Sequence, residues 1–210
     1  MSHVVLLGDS IFDNAAYVAG GPAVITQVRE RLPQGWRATL NALDGSITQD
    51  VPRQLQSIPP DASHLFVSVG GNDALGHMGF LSEEARSVAE VLHRLADIGQ
   101  AFEYQYHHMV QAVLRYGLPA ALCTIYYPRL PDPDLQRVAV TGLTLFNDCI
   151  IRAAFSAGLP LLDLRLICTE ETDFANPIEP STAGGAKIAE AISEAATHHD
   201  FNRRQTVVFR

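Results

Sequence analysis

Cysteine is scarce in this chain: Cys123, Cys149 and Cys168 are its only three, widely spaced and without a Cys-x-x-Cys pair. An odd, scattered set builds neither a disulfide framework nor a thiolate metal site, so buried thiols and no metal are expected. Positive charge is short as well. Fifteen Lys and Arg face 23 Asp and Glu, for a formal net charge of −8, and no basic patch interrupts the sequence. Phosphate binding needs such a patch, which argues against nucleic acid as a partner. The longest apolar runs are far too short to span a bilayer, so no transmembrane segment is expected. The amino terminus lacks a basic start, and its apolar run stops at Gly8-Asp9-Ser10. A signal peptide is therefore not expected and a cytoplasmic location is. Neither repeats nor low-complexity tracts occur.

What is present is 210 residues, 47% apolar and 18% charged. That balance suits a single domain over 1–210 with a sizeable core. Strand-like segments at 3–8, 37–43, 65–70, 119–125 and 159–164 alternate with helical patterns. Segment 22–32 opens with Pro22 and sets Val24, Val28 and Leu32 on one face. Segment 139–157 does the same with Leu143, Phe146, Ile150 and Ala154, and segment 182–197 with Ile188, Ile192 and Ala196. Such alternation predicts an α/β protein: a three-layer α/β/α sandwich of about five parallel strands with right-handed crossovers. The tail Thr206-Val207-Val208-Phe209 either adds an edge strand or docks on the surface.

The stretch 74–117 is longer than one crossover needs. A single helix over 82–116 would run about 50 Å at ~1.5 Å per residue, longer than such a domain is wide, so a break near Gly99 is expected. Segment 74–98 would then cross above the carboxyl edge of the sheet as a cap-like insertion. Residues near Phe102, Tyr104 and Tyr106 would start close to that edge. The proline-rich loop Tyr126–Pro133 lies there too, and these two segments are the candidates for substrate selectivity.

The apolar run His3-Val4-Val5-Leu6-Leu7 leads directly into Gly8-Asp9-Ser10-Ile11. A buried parallel strand delivers the turn after it to the edge where ligands bind. Ser10 is thus a candidate nucleophile, and helix capping by Asp9 and Ser10 is the plainer alternative. A second run ends at Gly45, and a third, Leu65 to Val69, ends in Gly70-Gly71-Asn72-Asp73. Three such blocks in this order, each after an apolar strand, resemble the SGNH (GDSL-type) serine hydrolases over almost the whole chain. The resemblance implies a flavodoxin-like sheet, no cofactor, and esterase or lipase-like hydrolysis of a small acyl ester. It makes Ser10 the nucleophile. The oxyanion hole falls to the N–H groups of Ser10 and Gly45 and the side-chain amide of Asn72. Acyl transfer requires both functions, together with a base. Asp9 and Asp73 are read as loop-fixing acceptors.

The fourth block departs from the family pattern. Where the family carries Asp-x-x-His-Pro-Ser, this chain has Asn176-Pro177-Ile178-Glu179-Pro180-Ser181. Glu179 therefore stands in the place of the histidine base and Asn176 in that of its aspartate. Topology makes several of the chain's eight histidines poor substitutes: His3 and His64 begin strands, His198 and His199 end a helix, and His93 and His108 fall on helix surfaces. His77, five residues after Asn72 on the correct edge, is the alternative base. A carboxylate is weakly basic at an unperturbed pKa of ~4.3, and burial could raise that value. The reading that follows is a Ser10–Glu179 dyad with Asn176 orienting Glu179 through its amide. A catalytically silent binding protein and an acyltransferase are the competing classes.

Overall fold

The computed structural model describes residues 2–210. Its strands are β1 (His3–Gly8), β2 (Arg37–Leu40), β3 (His64–Ser68), β4 (Ala120–Cys123), β5 (Leu161–Leu162), β6 (Phe174–Asn176), β7 (Glu179–Pro180) and β8 (Val208–Phe209). Six of them form one parallel sheet in the order β2-β1-β3-β4-β5-β8, while β6 and β7 pair as a separate antiparallel hairpin. The helices are α1 (Val24–Arg31), α2 (Val51–Leu55), α3 (Gly71–Leu75), α4 (Val88–Leu114), α5 (Pro133–Ala157), α6 (Leu164–Ile167) and α7 (Thr182–His198).

The strands are apolar on both faces because both faces are covered. Val4, Leu6, Phe66, Ala121 and Leu162 share one core with α1, α6 and α7. Val5, Leu7, Leu65, Val67 and Leu122 share the other with α2, α4 and α5. The expected three-layer α/β/α architecture is thus present, with a sixth strand from the tail: Val208 and Phe209 pair with Leu161 and Leu162. Chain order reverses at β1, which lies between β2 and β3. The segments after β1 and β3 therefore open a crevice at the carboxyl edge, where ligands of open α/β sheets bind.

One expectation fails. No break occurs near Gly99, and α4 runs unbroken for 27 residues. Gly99 serves close approach instead: a Cβ there would meet Leu145 Cδ1 of α5 at 2.8 Å. The two helices can touch at this point only because one of them lacks a side chain. Phe102 and Tyr106 are buried, but Tyr104 is exposed and meets His108 edge to face. α5 is long and apolar enough, by length and composition, to cross a bilayer. In the fold its later half packs on the sheet, burying Phe146, Cys149, Ile150 and Ala154.

Candidate active site

Ser10 follows β1 in a tight turn. The carbonyl of Asp9 accepts hydrogen bonds from the N–H groups of Phe12 and Asp13, and its carboxylate accepts from Ile11 N–H at 3.1 Å. Gly8 enters this turn at φ +124°, and its position admits no side chain, because a Cβ would lie 1.8 Å from the Ser68 carbonyl oxygen. Gln54 of α2 clamps the same residue. It accepts from Gly8 N–H at 2.7 Å and donates to Gly8 C=O at 2.8 Å. The Ser10 hydroxyl, thus aimed, donates to Glu179 Oε1 at 3.0 Å.

Glu179 reaches Ser10 from the β6–β7 hairpin, which three side chains pin. Asn176 Oδ1 accepts from the N–H groups of Ile178 and Glu179, both at 3.0 Å. Tyr126 donates its hydroxyl to Ile178 C=O at 2.6 Å, and Asn14 donates its amide to Pro180 C=O at 3.1 Å. Ser181 then caps α7 by accepting from Ala183 and Gly184 N–H, which accounts for the Pro-Ser after Glu179. Asn176 thus acts on Glu179 through the backbone of the turn. The expected bond from its amide to the carboxylate is not formed.

Both Ser10 and Glu179 are buried, each 6% exposed, and Glu179 Oε2 has no hydrogen-bond partner. No cation offsets this carboxylate among the described residues. Arg165, on the same cleft, gives Nε and Nη2 to Asp163 at 2.8 and 2.6 Å, and Lys187 is held by Asp173 at 2.7 Å. Burial consequently pushes Glu179 up to about 7, with the charge of Asp44 adding and the Ser10 hydrogen bond opposing. Burial drives Asp9 up to about 8 against its Ile11 hydrogen bond, and the charges of Glu179 and Asp73 add to the rise. Asp73 accepts from the N–H and hydroxyl of Thr48 at 2.9 and 3.1 Å, a loop-fixing arrangement.

The Asp9 shift has a consequence for stability. A group that holds its proton more tightly when folded makes the native state less stable as pH rises. Asp9 therefore removes stability between its ordinary 3.8 and about 8, by an amount on the order of 5 kcal/mol. Asp9→Asn keeps the acceptor for Ile11 and is expected to flatten this decline. Urea unfolding at pH 5 and pH 8 measures it: the wild type should lose markedly more stability across that interval than the variant.

Ser10 and Asn72 line one cleft, and the Gly45 turn is tied to β1 through Leu43 N–H to Gly8 C=O. Leu43 to Ser46 form a turn closed by Ser46 N–H to Leu43 C=O, and Gly45 takes its left-handed position at φ +79°. The N–H groups of Ser10 and Gly45 donate to no other group among the described residues. Asn72 spends one amide hydrogen on Ser46 C=O at 2.9 Å, which leaves its second free. His77 lies exposed against the Phe146 ring, 6.2 Å between centroids, and lines the same cleft without bonding to Ser10. His3 is spent at the opposite edge on Asp61 and Thr39.

Gln54, Asn14 and Tyr126 escaped the sequence reading. A lone glutamine or asparagine carries no pattern that marks it as buried. Tyr126 stood in a loop already placed at the right edge, and that position was the available signal.

The fold and this constellation define a doubly wound α/β/α protein with a serine hydroxyl bonded to a buried carboxylate at its switch point. Residues 6–201 match the GDSL-like Lipase/Acylhydrolase family, and the chain belongs to that ester-hydrolysing family. No curated protein sequence matches it. Among solved structures, the extracellular lipase from Streptomyces rimosus is similar at TM-score 0.65 and 16% identity, covering 89% of this chain and 96% of that one. The acetyl xylan esterase AlAXEase reaches 0.66 at 18% identity, with 92% and 98% covered. Est24, a carbohydrate acetylesterase from Sinorhizobium meliloti, reaches 0.62 at 13%, with 93% and 98% covered. At these identities the likeness is one of fold.

Proposed function

We propose that this chain is a serine ester hydrolase in which Ser10 is the nucleophile and Glu179, in the family's histidine position, is the base. The observation that carries this reading is the 3.0 Å hydrogen bond between the two buried groups. A carboxylate raised to about 7 is half ionised near neutral pH. It then matches a proton-transfer role far better than an ordinary glutamate does.

Ser10 Oγ attacks the acyl carbonyl as its proton passes to Glu179 Oε1. The N–H groups of Ser10 and Gly45 and the amide of Asn72 receive the developing oxyanion, for which fixed neutral donors need no reorganisation. Collapse breaks the ester C–O bond, and the departing alkoxide takes the proton from Glu179. Water, deprotonated by the same carboxylate, then attacks the acyl-serine, and its collapse releases the acid and restores the Ser10 proton. Asn176, Tyr126 and Asn14 position Glu179 by fixing its hairpin.

Fluorophosphonate labelling tests the assignment, since it needs an activated serine. Wild-type protein is expected to carry the adduct on the Ser10 peptide and to hydrolyse p-nitrophenyl butyrate, and Ser10→Ala to do neither. A wild type that neither labels nor turns over would overturn the proposal and leave a ligand-binding protein on a hydrolase scaffold. Loss of turnover in His77→Ala as complete as in Ser10→Ala would move the base to His77.

A further inference from the structure

The helices α4 and α5 are longer than the sheet they cover. Their 27 and 25 residues span about 40 and 37 Å at ~1.5 Å per residue. The longest strand, β1, has six residues and spans only about 20 Å. The buried residues of α4 begin at Gly99 and those of α5 at Phe146, beside the Gly99–Leu145 contact. The eleven residues of α4 and thirteen of α5 before these points overhang the carboxyl edge. Between them, with the turn Met78–Ser82, lies a cleft of about 1370 Å³ that is continuous with Ser10 and Glu179.

The side of this overhang that faces the cleft is mainly apolar, although Asp134, Arg137, Thr141 and Thr144 of α5 also line it. Val91, Leu92 and Leu95 of α4 face the cleft, and so do Val138 of α5 and Leu81. Leu92, Val138 and Leu81 remain 60%, 45% and 43% exposed. Contiguous apolar surface of this kind marks a binding site. The volume also exceeds the ~300–1,000 Å³ of ordinary small-molecule sites, and acetate would leave nearly all of it unfilled.

We infer that the cleft holds the hydrocarbon chain of the substrate, which makes the substrate class medium- and long-chain acyl esters. The inference rests on the Ser10–Glu179 reading for its chemistry, and it replaces the small acyl ester expected from sequence. Each methylene drawn from water into an apolar wall raises kcat/KM about three- to fourfold until the cleft is filled.

Gly142 supplies the test. It lines the cleft from α5, and a Cβ built on it meets no atom within 4 Å. Gly142→Phe therefore starts a ring from open space on the cleft wall and narrows the cleft, at a helix-interior position where losing glycine favours the helix. In wild-type protein, kcat/KM should climb from p-nitrophenyl acetate through butyrate and octanoate to decanoate. In Gly142→Phe the decanoate-to-acetate ratio should fall by ~10-fold or more. A second arm is free of turnover: dodecanoate binding to Ser10→Ala, followed by calorimetry, should be saturable and weakened by adding Gly142→Phe. Dodecanoate binding without turnover of any ester would uphold the cleft and remove the Ser10–Glu179 reading. A flat chain-length profile with no dodecanoate binding would overturn the inference while leaving that reading intact. Absent binding with a dimer that Gly142→Phe dissociates would overturn it in favour of a second copy on this face.

Discussion

Glu179→Gln is expected to lower kcat on p-nitrophenyl esters by about 10⁴–10⁶-fold, the range of losses seen when a serine hydrolase loses its base or the group that orients it. The protein should at the same time be at least as stable as the wild type. Glutamine keeps an oxygen that can accept from the Ser10 hydroxyl, and it removes a buried carboxylate whose ionisation is opposed by burial. Activity and melting temperature should therefore move in opposite directions, which a misfolded variant could not imitate. The trade of stability for function at a site is a general one.

The pH dependence follows from the same shift. A base must be ionised, so kcat/KM should rise through an apparent value near 7 and level off above it. Asp9 titrates nearby at about 8, and the limb will belong to the pair of carboxyls. Temperature separates this limb from one set by an imidazole. Carboxylate ionisation has almost no enthalpy, so the midpoint should stay in place on warming, whereas a histidine's would fall. A midpoint that drops steadily with temperature would exclude Glu179 as the base.

The second large effect is on folding. Gly8→Ala is expected to abolish the native state, at a cost above ~4 kcal/mol, a large share of the ~5–15 kcal/mol that holds an ordinary domain together. Three constraints meet at this residue. Its φ of +124° is closed to side chains, its Cβ would overlap the Ser68 carbonyl at 1.8 Å, and Gln54 holds both of its backbone groups. The backbone cannot move away without unmaking the pairing of β1 with β3. Gly45→Ala makes the control. Its φ is +79° but nothing lies within 4 Å of the added carbon, so it should fold with a penalty of about 1–2 kcal/mol. Circular dichroism and thermal melts of the two variants decide the matter: a cooperative, near-wild-type transition in Gly8→Ala would refute the argument.

Much of the fold was legible because burial on both faces leaves a plain mark. Val4, Val5, Leu6 and Leu7 are all fully buried, and only a central parallel strand requires such a run. The two residues of β5 and of β8 leave too little pattern to delimit, since their pairing is settled by the neighbour they meet. Gly99 misled for a specific reason. A glycine inside a helical pattern reads as an interruption, yet here it answers to Leu145 on another helix, which local sequence does not announce. At the site, Ser10 and Glu179 were visible through the blocks around them. The part played by Asn176 was not. Its place in the family's fourth block, where the aspartate stands, suggested a side-chain partner, and the tight turn directed its oxygen to the backbone instead. Gln54 was invisible, because its task exists only once α2 has docked against β1.

The hydrogen bond from Ser10 to Glu179 joins residues 169 positions apart. Contacts of such separation form late, after the loop between them has been ordered at an entropic cost. If Glu179 activates Ser10 as proposed, the serine is inert in any chain whose β6–β7 hairpin has not yet brought Glu179 to it. On that reading the hydroxyl doubles as a clock for assembly: the return of its reactivity during refolding would date the moment when the two ends of the fold meet.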